Sequence, residues 1–232
     1  MSENTDRIPF LRRREALASA GALGLGLVWT NGCAWFDSAG AAVEEDAVEA
    51  AACTLSKELT EGPYWIENGL TRRDVTEDRP GVPLTLLLAV EDAGSCRRLR
   101  RADVEIWHAD AQGAYSGVGS AGASSRFLRG HQRTNANGVV RFETIYPGWY
   151  MARTPHIHLK VHVGGDEVHT GQLFFRESVS REVYRTRSYR SHGQADTSNA
   201  ADMIYERGSL LRLERASGER RWIGRKTLVV DA

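Results

Sequence analysis

The chain is 232 residues long, 41% hydrophobic and 26% charged, the balance of an ordinary globular protein with one sizeable core. Its 30 basic and 30 acidic residues cancel to a formal net charge of zero, which argues against a nucleic acid or an anionic membrane surface as partner. The sequence holds no internal repeat, no second domain and no glycine-rich phosphate loop.

Residues 1–41 read as an export leader rather than as part of the fold. Arg12-Arg13-Arg14 precede an apolar run from Ala16 to Trp29 that is too short and too rich in Gly and Ala to span a membrane. Arg13-Arg14-Glu15-Ala16-Leu17 has the form of a twin-arginine signal, which carries folded proteins out of the cytoplasm. Ala39-Gly40-Ala41 offers a small-residue cleavage site. Gly32-Cys33 offers another, at which Cys33 would carry a lipid anchor. The expected location is therefore extracellular, periplasmic or attached to the cell envelope. Residues 42–52, rich in Ala and Glu, read as a flexible linker, and 53–232 as the folded domain. Outside the cytoplasm Cys53 and Cys96 can pair; two buried free thiols are the alternative.

Within the domain the pattern is that of strands. Pro83 to Glu91, Asp103 to His108, Val139 to Ile145, His156 to Val163, Thr170 to Phe175, Ser209 to Glu214 and Trp222 to Val230 are apolar or alternating runs. Turn residues such as Asn137-Gly138, Gly164-Gly165-Asp166 and Ala216-Ser217-Gly218 divide several of them. Ser178 to Tyr184 and Ala200 to Tyr205 are short helix candidates. The fold class this predicts is all-β, an antiparallel sandwich or barrel with few helices.

The chemistry concentrates around 147–158. Pro147-Gly148 suits a type II turn and delivers Tyr150 just ahead of the strand. His156 and His158 share one strand face, roughly 6.5–7 Å apart along the backbone, while Ile157, Leu159, Val161 and Val163 face the other way. On spacing alone, the wet face of a half-buried strand is the better reading of these histidines. His162 lies too far along the strand to share an ion with His158, but His169 lies across a turn, so a three-histidine zinc site stays open. No carboxylate stands where a two-histidine, one-carboxylate iron site would want it. The remaining partners are phenols. Tyr150 follows one turn, and Tyr115 follows another, Ala109-Asp110-Ala111-Gln112-Gly113-Ala114. A phenol ionises only near pH 10, so two ionised phenols beside two imidazoles call for a hard, strongly Lewis-acidic ion such as Fe³⁺.

With these residues in place, the chain resembles the intradiol ring-cleavage dioxygenases, the catechol and protocatechuate 3,4-dioxygenase family. The similarity rests on Thr60-Glu61-Gly62-Pro63-Tyr64, Asp103 to Tyr115, Arg133 to Phe142, Pro147 to Tyr150, Arg153 to His158 and Gly171 to Phe175, in family order. It implies an intradiol-type β-sandwich and an Fe³⁺ held by Tyr115, Tyr150, His156 and His158. It implies a catechol and O₂ as substrates and a muconate-type diacid as product. Tyr150 would take a substrate proton and leave the metal. Arg153 would stabilise negative charge on the substrate, and Gln172 would orient Arg153 or the bound ring. Tyr64 and Trp149 are expected to line the substrate pocket with Arg153. The helical N-terminal segment through which catechol 1,2-dioxygenases pair has no counterpart here, which leaves monomer and homodimer open. Two competing functions remain: a zinc hydrolase using His156, His158 and His169, and a non-catalytic β-sandwich binding module.

Overall fold

The computed structural model describes residues 53–218 and 220–232; the expected leader over 1–41 and linker over 42–52, with Cys33, lie outside the described residues. Eight strands among them form two four-stranded sheets. They are β1 (Pro83–Asp92), β2 (Asp103–Trp107), β3 (Arg129–Arg133), β4 (Val139–Ile145), β5 (His156–Val163), β6 (Asp166–Phe174), β7 (Arg212–Arg215) and β8 (Trp222–Val230). The first sheet has the order β4-β1-β8-β7 and the second β3-β2-β5-β6. One short helix, α1 (Glu177–Val183), follows β6.

The sandwich is not antiparallel throughout. β1 and β8 run parallel, Leu84 opposite Trp222 through Asp92 opposite Val230. Parallel neighbours need a long crossover, and here everything between them in the chain, the whole second sheet included, serves as that crossover. The expected strand over Ser209 to Glu214 is shorter, preceded by a 3₁₀ turn at Arg207–Ser209. The helix expected over Ala200 to Tyr205 is absent; that stretch is a set of turns in which the Asp202 carboxylate accepts the Ile204 N–H.

Alternation along the strands sends one side chain in two into the space between the sheets. Leu84, Leu86, Leu88 and Val90 of β1 meet Val104 and Ile106 of β2, Ile157, Leu159 and Val161 of β5, and Leu173 of β6 in one core. Each is worth about 1.5–3 kcal/mol when buried, so this face fixes the register of every strand.

The opposite face of β5 is buried as well. His156, His158 and Lys160 are all under 10% exposed. The chain from Cys53 to Arg72 covers it, bonded through Leu59 N–H to Thr170 O and through His131 N–H to Leu70 O. The Cys53–Cys96 disulfide, with its Cα atoms 5.5 Å apart, ties the start of this cover to the turn after β1. The histidines therefore do not form a wet strand face: the sheet is sandwiched at this point between the core and a strap of irregular chain.

Candidate functional site

Two turns bring the phenols together. One runs from the end of β2 to Tyr115, the other from the end of β4 to Tyr150. They touch backbone to backbone: Gly148 N–H donates to Asp110 O at 3.0 Å. A Cβ on Gly148 would strike Asp110 O, and one on Gly113, whose φ is +82°, would strike Trp149 O. Glycine is required at both positions for the turns to interlock.

The four rings expected as ligands converge. Tyr115 and Tyr150 lie 5.7 Å apart between centroids, Tyr150 and His156 5.5 Å, His156 and His158 4.7 Å, and Tyr115 and His158 6.2 Å. At the atomic level the Nε2 atoms of His156 and His158 are 3.0 Å apart, and the Tyr150 hydroxyl is 3.3 Å from His156 Nε2. Donors held about 2.1 Å from a common ion at near-right angles stand about 3 Å from one another, which is the spacing seen. His156 Nδ1–H donates to Thr154 O at 2.7 Å, which leaves Nε2 as a bare lone pair. The Tyr115 hydroxyl and His158 Nδ1 are buried with no hydrogen-bond partner.

The electrostatics fit a cation at this point. Burial, and next the neighbouring Tyr150 phenol, push the Tyr115 hydroxyl well above the ordinary phenol range. Burial raises Tyr150 too, against the pull of the Arg153 guanidinium. His156 is lowered to about 3 by burial, with Arg153 adding to the effect, and His158 is held far below the usual imidazole range by burial and by His156. The pocket thus holds two neutral imidazoles and two phenols that would ionise only against added positive charge.

Arg153 is fixed at the rim of this cluster. Its Nε donates to Asp202 Oδ2 at 2.9 Å, its Nη2 to Gln172 Oε1 at 2.6 Å, and its Nη1 reaches the Tyr150 hydroxyl at 3.3 Å. Gln172 stands opposite His158 on β6 and spends its amide on Thr60 O at 2.8 Å. The strap then closes over the site. Gly62, at φ +70°, lies against the His158 ring, where a Cβ would be 3.2 Å from Cε1. Tyr64 stacks on Tyr115 at 4.5 Å and meets Tyr150 edge-on at 5.7 Å. Lys160 anchors the strap through Glu61 at 2.7 Å and the face of Trp65 at 4.3 Å.

Trp149 lies elsewhere. Its indole N–H donates to Gly193 O at 3.2 Å and its ring packs on His192 at 4.4 Å, away from the aromatic cluster of Tyr64, Trp65, Tyr115 and Tyr150. The three-histidine zinc set is not formed. His169 pairs with Val161, whose side chain is in the core, so it sits on the opposite face of the sheet from His156 and His158. Among the described residues no three His, Cys, Asp or Glu side chains are grouped so as to hold a metal ion.

Three residues near the site were not singled out from the sequence. Trp107, opposite His158 on β2, stacks on its ring at 5.0 Å and 7° and holds its plane. Arg129 is buried against the Ser116 hydroxyl and carbonyl. Asp202 arrives from the stretch whose expected helix is a set of turns instead. Only Trp107 carried a signal, its place on the same strand face as Glu105.

Comparison with known proteins follows the same residues. A family model described as "Dioxygenase" matches residues 60–180, just over half of the chain. The structure of an intradiol ring-cleavage dioxygenase from Tetranychus urticae superposes with a TM-score of 0.72 at 36% identity, covering 77% of this chain and 95% of that one. The dioxygenase domain of a dioxygenase–carbohydrate-binding fusion from Streptomyces sp. SirexAA-E gives 0.61 at 30% identity, covering 77% and 99%. Catechol 1,2-dioxygenase 1 of Acinetobacter lwoffii is 33% identical over 96 residues, 39% of this chain and 30% of that protein, so the chain spans under a third of that curated relative.

Proposed function

Because the chain belongs to the intradiol ring-cleavage dioxygenase family, we propose that it holds Fe³⁺ between Tyr115, Tyr150, His156 and His158 and uses O₂ to open a catechol between its hydroxylated carbons, giving a muconate-type diacid. The observation that carries this reading is the convergence of two phenols and two imidazole Nε2 atoms on one point, with Nε2 donors 3.0 Å apart. When bound, ferric iron would supply a Lewis acid and a template for both catechol oxygens.

The chain's own groups divide the remaining work. His156 is presented with its lone pair inward because Thr154 O accepts from the other ring nitrogen. His158 is clamped between the Trp107 ring and Gly62. Tyr150 is half-buried where Tyr115 is buried, and its hydroxyl is 3.3 Å from Arg153 Nη1. It is therefore the phenol placed to accept a proton from an entering catechol and to swing away. Tyr115, wedged under Tyr64, has no such freedom. The Arg153 guanidinium stays aimed at the same hydroxyl, so a fixed cation faces the place where negative charge would build up on substrate. Tyr64 offers an aromatic wall against which a flat ring can lie.

Export through the leader over 1–41 is part of the same proposal, and the Cys53–Cys96 disulfide supports an oxidising destination.

The test is metal analysis, visible absorption and oxygen uptake of the purified chain across substituted catechols. One iron per chain, a broad tyrosinate-to-iron band that colours the protein wine-red, and one O₂ consumed per catechol are expected. A colourless protein that takes up no iron at all would overturn the reading.

A further inference from the structure

We propose that Asp202 is a positioning residue for this reaction: its carboxylate, delivered by the loop after α1, locks the Arg153 guanidinium in the orientation that faces Tyr150. The inference rests on the dioxygenase reading and adds to it a residue from outside the matched segment of 60–180.

The geometry is that of a built clamp. Asp202 is 1% exposed at its side chain and Arg153 14%. A buried ion pair is an expensive way to hold a fold together, because both charges must leave water, so its retention beside a reactive centre points to use. The carboxylate is fully engaged: Oδ2 accepts from Arg153 Nε and from Thr154 N–H, both at 2.9 Å, and Oδ1 accepts from Ile204 N–H at 2.9 Å. Asn199, from the same loop, accepts from the Thr154 hydroxyl at 2.6 Å and donates to Phe175 O at the end of β6.

The choice of nitrogen matters. Nε is the one guanidinium nitrogen on the chain side of the group, so a bond there stops rotation about the Cδ–Nε axis. Gln172 holds Nη2. With both fixed in one plane, Nη1 has a single direction left, toward the Tyr150 hydroxyl. The same carboxylate holds the Thr154 N–H, and across its Cα the carbonyl of that residue sets the His156 ring. One side chain thus governs a cation and a metal-facing imidazole without touching the reacting atoms.

The experiment uses Asp202→Asn, which removes the charge and keeps an acceptor for a backbone N–H, in the wild-type and the Arg153→Ala backgrounds. Folded Asp202→Asn is expected to keep its iron content, with kcat lowered about 10–100-fold and catechol KM changed less than about three-fold. In the Arg153→Ala background the same substitution should cost less than about two-fold, because the group it positions is gone. The Arg153 Nε–H resonance of the metal-free protein, resolved and slow to exchange in the wild type, should collapse into the solvent-exchanging envelope. An unchanged kcat, or an equal loss in both backgrounds, overturns the proposal. Should Asp202→Asn fail to fold, Asp202→Glu carries the test: a displaced carboxylate must shift the Nε–H signal and lower kcat at least about five-fold, and wild-type values for both overturn it. Wild-type protein without iron or oxygen uptake would instead overturn the dioxygenase reading, while the metal-free resonance still judges the Arg153–Asp202 coupling.

Discussion

Gln172 accepts from Arg153 Nη2 at 2.6 Å with its oxygen and donates to Thr60 O at 2.8 Å with its nitrogen, so a single amide joins the guanidinium to the strap that covers the site. Both ends of the amide are used, and an apolar replacement would take a hydrogen-bond partner from the Arg153 guanidinium and from the Thr60 carbonyl together. That loss is typically about 1–3 kcal/mol. Gln172→Leu should therefore lower kcat/KM by about 5–150-fold with iron content kept, and steady-state oxygen uptake will show it. Equal activity in the variant would remove Gln172 from the positioning of Arg153.

The two phenols should behave differently. Tyr150 is the half-buried one with the guanidinium within reach, and Tyr150→Phe should cost about 10²–10⁴-fold in kcat, the range for losing a general acid–base group. The visible band should weaken and shift, since one of two phenolates is gone. Tyr115→Phe removes the buried hydroxyl beneath Tyr64, and here the expectation is loss of the metal itself, read by metal analysis before any activity assay.

Much of this site is legible in the sequence, and the part that is not has a physical cause. His156 and His158 announce themselves because a strand's two-residue period puts them on one face, and Pro147-Gly148 announces the turn that supplies Tyr150. β3 has no signature in the sequence because Arg129-Gly130-His131-Gln132-Arg133 lacks apolar alternation; it is covered by polar contacts from Thr71 and Arg72 rather than by an apolar surface. The parallel pairing of β1 with β8 is a long-range choice that no local pattern encodes. Asp202 lies among Ser, Asn and Ala residues, and only the folded chain brings it to Arg153. The helix expected around it is absent, with its carboxylate turned toward the Ile204 and Thr154 amides instead.

Acid should weaken the fold through His108. This ring is fully buried, its Nδ1–H donating to Ala109 O at 2.8 Å and its Nε2 facing the Thr144 hydroxyl at 2.7 Å, and burial lowers it to about 4. An imidazole depressed in the folded state is protonated first in the unfolded chain, so its contribution is complete above about pH 6.5 and is lost as pH falls toward 4. The loss over that window is about 3 kcal/mol. Denaturant melts at pH 7, 5.5 and 4.5 should show a slope in His108→Gln shallower by up to one proton. Identical slopes in the two proteins would contradict the burial of a neutral ring.

The disulfide should matter to the strap more than to the sheets. Cys53 and Cys96 close a loop of 43 residues in sequence separation, worth about 4 kcal/mol in the chain-entropy account. Replacing both by Ser should lower the melting temperature and, before global unfolding, raise amide exchange in the 53–65 segment, which leads to Gly62 and Tyr64. Exchange confined to the termini would show that the strap is held by its other bonds alone.

The interlocked glycines carry an evolutionary corollary. Gly113 and Gly148 sit where each turn presses its peptide on the other, with no room for even a methyl group. Neither turn can lengthen, shorten or tilt alone, since the phenol at its end would leave register with its mate. Divergence toward new substrates is therefore expected in the strap around Tyr64, because the loop after α1 is itself tied into the joint through His192, 2.7 Å from Trp149 O.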